Sequence, residues 1–411
     1  MRSSVRWLAH KLPELFEKVQ RQTTETRALQ EELESQHRWM GALTRDVGWM
    51  RRATTRQRAI TSELLQLAGL HERTADRDQY LRARMGRMVR SNLPIIVGPW
   101  TGEVGFELLY WIPFLQALRE TYAIDPERLI VVSRGGVASW YSHVSRHYTE
   151  AFATVTPDAF REATEAMKKQ RNPRAFEKRL VRAAMRERGI RRAHILHPSM
   201  MYELLWAYWS YHTTVRHVES FTSFKRLAPA PAPLLPPGLP REYVAARFYF
   251  SDCFPDTAAN RAFVQRVLAS LTAHTDVVLL NTPFAVDDHR DVAGAHSSRI
   301  HSVADHMDPA TNLGVQTAII ANARAFVGTY GGYAYLAPFS GVHSTSFYSR
   351  TTFKRHHLDL AHRVFERLGS ARLCAIDLRA ADAVELAFGG GGGRLADPTE
   401  EGRAIRAAAR L

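Results

Sequence analysis

The chain has 411 residues, and at roughly 150 residues per domain it has room for two or three domains, which excludes a peptide-sized or disulfide-stapled fold. Apolar residues at 45% and charged residues at 23% are those of an ordinary globular protein, and no run approaches the ~20 apolar residues that cross a bilayer as a helix. The excess of 55 Lys and Arg over 41 Asp and Glu, a net charge of +14, favours an anionic partner such as nucleic acid, anionic lipid or a phosphate-bearing substrate. Two cysteines, Cys253 and Cys374, offer neither a disulfide framework nor a cysteine-based zinc site, and fit a reducing cytoplasm. The basic N-terminus lacks the apolar stretch of a secretory signal.

Residues 1–91 contain 18 Lys and Arg against 11 Asp and Glu, so +7 of the +14 lies there. This segment is rich in Gln, Glu, Arg, Leu and Thr. Helical spacing appears in Leu12, Leu15, Phe16 and Val19, and again in Met40, Leu43, Val47 and Met50. A helical extension is expected, partly coiled coil, that assembles copies of the chain or docks it on an anionic membrane surface. Nucleic acid is disfavoured, because no recognition module follows.

From Leu93 the texture changes to short β-branched runs alternating with helical patterns. Strands are expected at Leu93–Gly98, Arg128–Ser133 and Ala193–His197, with a charged helical stretch from Asp158 to Arg188 and an aromatic helix containing Tyr202, Trp206, Tyr208, Trp209 and Tyr211. Residues 92–228 thus read as one βα domain. Six prolines between Pro229 and Pro240 mark a linker over 229–241. Residues 242–388 read as a second βα domain. Its strands are expected at Tyr243–Phe250, Asp276–Asn281, Arg299–Val303, Ala325–Gly328 and Ser344–Tyr348, and its helices at Asn260–His274, Asn312–Ala323 and Tyr333–Gly341. A run of glycines, Gly389 to Gly393, opens a basic tail over 389–411. The fold class is α/β: two Rossmann-like domains facing across a cleft, where ligands sit at the carboxyl ends of the strands.

Two motifs occupy such ends. In Gly98-Pro-Trp-Thr-Gly102-Glu103-Val-Gly105-Phe-Glu107, glycines allow close approach to a ligand and two carboxylates stand at a helix start. Glu103 and Glu107 are candidates for acid–base work, with Trp100, Gly102 and Gly105 lining the loop; the alternative is that both carboxylates only complement the helix dipole. The spacing is not that of a dinucleotide fingerprint. In Gly328-Thr329-Tyr330-Gly331-Gly332-Tyr333, a strand ends and a helix begins, so backbone N–H groups freed from side-chain bulk suit a phosphate or diphosphate. A tight turn that merely permits close packing is the competing reading. No P-loop motif is present.

These motifs resemble those of bacterial glycosyltransferases of the GT-B fold, in particular the heptosyltransferase-like and fucosyltransferase-like branches. The resemblance runs from about Pro94 to His362. Gly102-Glu103 followed by Phe114-Leu-Gln-Ala-Leu-Arg-Glu-Thr-Tyr122 is similar to the family's Gly-acidic loop and helix, and Val327-Gly-Thr-Tyr-Gly-Gly332 with Tyr335-Leu-Ala337 is similar to its donor-diphosphate turn. Two departures stand out: Thr329-Tyr330-Gly331 replaces the family's Asp-Thr-Gly, and Glu103 stands where Asp is usual. The resemblance implies a nucleotide-sugar donor, no further cofactor and no metal. Glu103 would be the base, Arg247 with Gly331-Gly332 would meet the diphosphate, and Lys225 would be a weaker phosphate contact. It also implies a glycan or glycolipid acceptor and a place in the bacterial cytoplasm or on the inner face of the membrane.

Metal chemistry finds little support. Asp76-Arg-Asp78 lies in the helical segment away from strand ends, and Asp287-Asp288-His289 with His296 and His301 has no ligand spacing; His289 is instead a candidate nucleotide contact in a cleft-facing loop. Two other readings compete with a glycosyltransferase: a polysaccharide pyruvyl transferase-like enzyme, whose anion site would look similar, and a non-catalytic scaffold built on the same body.

Overall fold

The computed structural model describes residues 17, 20, 74–165, 169–230, 234–284, 290–292, 297–369 and 371–379. Most of the expected helical extension, the core of the proline cluster, His289 and the glycine run lie outside the described residues.

Helix α1 (74–90) carries Leu81, Met85 and Met88 at helical spacing, and all three are buried. It lies on the first domain: the Tyr122 hydroxyl donates to Arg82 O at 3.2 Å, and the Arg128 guanidinium donates to the carbonyls of Val89 and Leu93, each at 3.1 Å. Asp78, from the Asp-x-Asp sequence, faces His217 at 3.5 Å.

The first sheet has the order β3-β2-β1-β4 and is parallel throughout. It is built from β1 (Ile95–Val97), β2 (Leu129–Ser133), β3 (His147–Glu150) and β4 (His194–Leu196). Side chains alternate between its faces. Ile96, Ile130 and Val132 meet Phe160, Phe176 and Leu180 of α3 (Pro157–Glu165) and α4 (Ala175–Glu187). Ile95, Val97, Leu129 and Val131 instead join the main core. The expected helical stretch 158–188 is therefore two helices. Helix α2 begins at Val104–Phe106, passes through a π-helical turn at Glu107–Trp111 and continues over Ile112–Thr121. π-turns of this kind concentrate at functional sites, and this one turns Glu107 into the core. The aromatic helix is α5 (Ser199–Trp209), followed by α6 (Val215–Glu219).

The second sheet, also parallel, has the order β12-β11-β10-β5-β7-β9. Its units are β5 (Tyr243–Arg247), α7 (Ala258–Thr272), β7 (Asp276–Leu279), β9 (Ile300–Ser302), α8 (Asn312–Ala321), β10 (Ala325–Thr329), α9 (Gly332–Phe339), β11 (Ser344–Tyr348), α10 (Arg355–Leu368) and β12 (Leu373–Asp377). The expected strand 243–250 breaks after Arg247, and its last residues form β6 (Tyr249–Phe250), paired antiparallel with β8 (Arg290–Asp291). The all-parallel sheets, fully buried central strands and covering helices are the α/β architecture expected from the sequence. No helix among the described residues is long and apolar enough to cross a membrane.

Each sheet reverses its winding once, between β1 and β4 in the first and between β5 and β10 in the second. The crevice at such a reversal is where doubly wound sheets bind ligands. Both sequence motifs sit there.

Candidate active site between the two domains

At the first reversal the chain leaves β1 through Gly98–Gly102 and enters α2 at Glu103. Glu103 is exposed and precedes the first helical residue with extended backbone, φ −67° and ψ 143°. Two buried polar networks hold this loop. In one, Glu107, 0% exposed, accepts hydrogen bonds from Ser133 Oγ (2.7 Å), Tyr141 Oη (2.5 Å) and Arg134 Nη1 (3.0 Å), while Arg134 Nη2 donates to Gly102 O at 2.6 Å. Burial pushes the Glu107 carboxyl up, against the pull of Arg134, Tyr141 and Ser133. Its oxygens are thus committed inside the domain, about one helical turn from exposed Glu103.

In the other, Glu177 of α4 accepts from Gln170 Nε2 (2.8 Å), the Arg174 backbone N–H (2.7 Å) and Thr101 Oγ1 (3.3 Å), and lies 3.2 Å from His197 Nε2 at the end of β4. Gln170 reaches on to the loop backbone, donating to Pro99 O (2.8 Å) and accepting from Thr101 N–H (2.9 Å). Burial alone would raise the Glu177 carboxyl, but the contacts from His197, Arg174 and Gln170 win and lower it to about 2. The depressed value stabilises the fold above the ordinary glutamate range, and that stability is lost as pH falls from about 4.5 towards 2. At ~1.4 kcal/mol per unit, Glu177→Gln is expected to remove on the order of 3 kcal/mol of stability at pH 7 and to flatten the acid limb of the stability–pH curve, as chemical denaturation at pH 3 to 7 would show.

Around Glu103 the structure gathers residues from distant parts of the chain. The Phe106 ring lies 6.1 Å from Tyr202, 5.5 Å from Trp209 and 5.1 Å from His357. Tyr110 Oη and His357 Nδ1 share a 2.5 Å hydrogen bond; burial, then His356, Lys169 and Lys354, drive the His357 imidazole down to about 3, so it is neutral at neutral pH. Lys169 Nζ stands 5.4 Å over Phe106, and Arg171 stacks on Trp206 at 4.7 Å. Of the aromatic run on and after α5, Tyr202, Tyr208 and Trp209 are buried, whereas Trp206 and Tyr211 are 41% and 69% exposed. Tyr208 also binds across the domains, donating to His356 O at 2.9 Å. Trp100 is buried beneath the loop, stacked on Trp111 at 5.9 Å.

At the second reversal, Arg247 ends β5. Its guanidinium donates to Asp291 Oδ1 (3.1 Å) and Gln316 Oε1 (2.8 Å) and covers the Tyr333 ring at 4.3 Å. It is buried and salt-bridged at the end of its strand. Gly328 pairs with Arg247 across β10 and β5, where a Cβ would stand 2.1 Å from the Arg247 carbonyl oxygen. Thr329 Oγ1 accepts from Tyr249 N–H and donates to Tyr249 O, both at 3.0 Å, and Tyr330 Oη lies 2.6 Å from Tyr335 Oη. Lys225 is elsewhere. It pairs with Glu120, near the far end of α2 from Glu103. His289 lies outside the described residues, and His301 pairs with Asp276 at 2.9 Å. Among the described residues no group of three or more His, Cys, Asp or Glu side chains is placed to hold a metal ion.

The two motifs meet. A Cβ on Gly332 would lie 2.8 Å from Gly105 N and 2.9 Å from the Val104 side chain, and one on Gly331 would strike the Tyr249 hydroxyl at 1.9 Å. A second seam runs alongside: Gly135 and Gly136, at φ +76° and +75°, pack on Leu313 and Thr311, Gly314 N–H donates to Gly135 O at 2.8 Å, and Trp140 Nε1 donates to Thr317 Oγ1 at 3.0 Å. The glycines that looked like a phosphate cradle therefore also let the domains close on one another. Gly332→Val is expected to force the α2 and α9 starts apart, costing about 1–3 kcal/mol as overpacking does, with a larger radius of gyration in small-angle scattering.

No family model and no curated protein sequence matches the chain. Among solved structures it is similar to a glycosyl transferase family 9 protein from Veillonella parvula, at 11% identity over 75% of this chain and 92% of the other, with a TM-score of 0.39. It is also similar to the Escherichia coli heptosyltransferase WaaC with ADP, at 13% identity over 72% of this chain and 100% of that one, TM-score 0.37. The iron-containing dodecameric heptosyltransferase TibC, in complex with ADP-D-beta-D-heptose, is similar at 11% identity over 63% of this chain and 59% of its own, TM-score 0.34.

Proposed function

We propose that the protein is a glycosyltransferase that moves a sugar from a nucleotide-diphosphate donor to a hydroxyl of a surface polysaccharide or glycolipid. The observation that carries this reading is the meeting of Gly105 with Gly332: an exposed carboxylate, two residues before Gly105, stands beside the N-terminal end of α9. A general base and a helix start that favours anions are what a single displacement needs on opposite sides of one anomeric carbon. Glu103 takes the proton of the acceptor hydroxyl, and that oxygen bonds to the anomeric carbon. The bond from this carbon to the diphosphate oxygen breaks, and the nucleoside diphosphate leaves with the bonding pair. Charge growing on the leaving group is met by fixed donors at the α9 start, with no reorganisation of solvent. Arg247, held by Asp291 and Gln316, keeps Tyr333 and the 290–292 segment in place behind that helix start. Glu107 and Glu177 are positioning residues for the loop that carries Glu103.

Thermal unfolding with UDP, GDP, ADP and CMP tests the donor side, since a ligand at 100 times its Kd stabilises by about 2.7 kcal/mol. One nucleoside diphosphate is expected to raise the Tm and the others are not. No response to any of them, together with unchanged cell-surface glycan in a Glu103→Gln strain, would overturn the reading.

A further inference from the structure

Glu103 shares its corner of the cleft with three cations. Lys169 and Arg171 belong to the segment that enters α4, and Lys354 immediately precedes α10 in the second domain. Glu103 attracts Lys169, but none of the three forms a salt bridge among the described residues. They rest on neutral partners instead: Lys169 over Phe106 (5.4 Å), Arg171 over Trp206 (4.7 Å), and Lys354 over Tyr211 (5.8 Å) while donating to Trp209 O. Aromatic faces hold a cation in place without neutralising it.

Tyr202 and Trp206 are one turn apart on α5 and so share a face. Tyr202 is 4% exposed, and among the described residues its hydroxyl has no hydrogen-bond partner. A buried hydroxyl left unpaired keeps its desolvation cost, and the charges that act on this one are Glu103 and Arg171. Three like charges brought together also disfavour one another. Burial pushes the Lys169 ammonium below the usual lysine range; Glu103 opposes this, and Lys354 and Arg171 add to it. Both costs fall if an anion enters, because it would accept from the hydroxyl and screen the cations from each other.

We propose that Lys169, Arg171 and Lys354, with the Tyr202 hydroxyl, form a subsite for an oxyanion on the flank of Glu103, taking a phosphate or carboxylate carried by a substrate. Its role in catalysis rests on the transferase reading above; its capacity to bind an anion does not. Because Lys354 comes from the second domain and the other three residues from the first, an occupied subsite also links the two domains.

Calorimetric titration of the full chain with inorganic pyrophosphate at low salt tests the site directly. Lys169→Gln with Arg171→Gln, and separately Lys354→Gln, are each expected to weaken binding about tenfold or more, and Tyr202→Phe by a smaller factor of about threefold to tenfold, because it removes a neutral hydrogen-bond donor and leaves the three charges in place. Arg161→Gln, on the exposed face of α3, removes the same unit charge as Lys354→Gln and is expected to leave the affinity unchanged, which separates a local site from an effect of net charge. Circular dichroism of each variant confirms that it is folded. If a nucleoside diphosphate displaces pyrophosphate competitively, the subsite takes the donor; if both bind together, and glucuronate competes with pyrophosphate, it takes the acceptor. Pyrophosphate binding that is absent, or equal in the cluster variants and Arg161→Gln, would overturn the proposal. Loss of the site with intact glycosyl transfer would leave the transferase reading standing, and cluster-dependent anion binding without any nucleotide effect would do the reverse.

Discussion

Glu103→Gln is expected to lower kcat for sugar transfer by about 10²- to 10⁴-fold, the usual contribution of a general base, while leaving the affinity for nucleoside diphosphate within a factor of two or so. The amide has the shape of the carboxylate and can accept a hydrogen bond from the acceptor hydroxyl, but it cannot take the proton. Because the interaction with that proton strengthens only in the transition state, kcat and kcat/KM fall together and KM stays near the wild-type value. The side chain is exposed, so stability is expected to change by no more than ~0.5 kcal/mol. Initial rates with a radiolabelled or coupled-assay donor, set beside nucleotide titration of the same variant, check both halves. A variant that loses nucleotide affinity in proportion to rate would identify Glu103 as a binding residue only.

Arg134→Leu should produce the largest loss of stability. Its guanidinium compensates Glu107 at 3.0 Å and ties Gly102 O at 2.6 Å, both inside the domain. Removing it strands a carboxylate that burial already disfavours in its charged form. Breaking a buried ion pair from one side costs about 3–5 kcal/mol, a fall in Tm of roughly 10 °C for a domain of this size. Glu107→Gln in the same background removes the stranded charge, so the double variant is expected to be more stable than Arg134→Leu alone, with coupling of about 0.5–3 kcal/mol. Turnover should fall in both, since Gly102 precedes Glu103 and its carbonyl loses its anchor. Thermal denaturation of the two single variants and the double variant decides the matter; additive losses would mean that Arg134 and Glu107 do not act as one unit.

Much of the architecture was legible along the chain. β2, β5 and β10 are largely apolar or β-branched runs because a central parallel strand is buried on both faces, and α7, α8 and α9 follow at helical period. Of the elements not expected, one lacked that signature. β3 is a polar edge strand, His147–Glu150, with only Thr149 buried. α10 carries Leu358, Ala361, Val364 and Phe365 at helical spacing, and β12 opens with Leu373-Cys-Ala-Ile, so both are legible in the sequence. The break between α3 and α4 places Gln170 against the loop at Pro99 and Thr101, a contact that charge composition does not encode.

The +14 charge likewise divided only in part. Its concentration in residues 1–91 is visible by counting, but Lys169, Arg171 and Lys354 belong to no motif. They converge because the 169–174 segment, the face of α5 and the start of α10 are packed around Phe106 and Trp209, and contact order of that kind has no local trace. By itself the sequence determined which residues could make strands, where two glycine-rich turns would lie, and that a carboxylate and a bundle of backbone N–H groups would stand at the carboxyl ends of two sheets. Those are consequences of side-chain size, branching and period, which act over a few residues. Only the tertiary structure decided that Glu103 faces the cleft while Glu107 is enclosed, and that Gly332 touches Gly105. The reason is physical: exposure, desolvation and contact between groups far apart in the chain are properties of what surrounds a residue, and the surroundings exist only once the two sheets have been brought together.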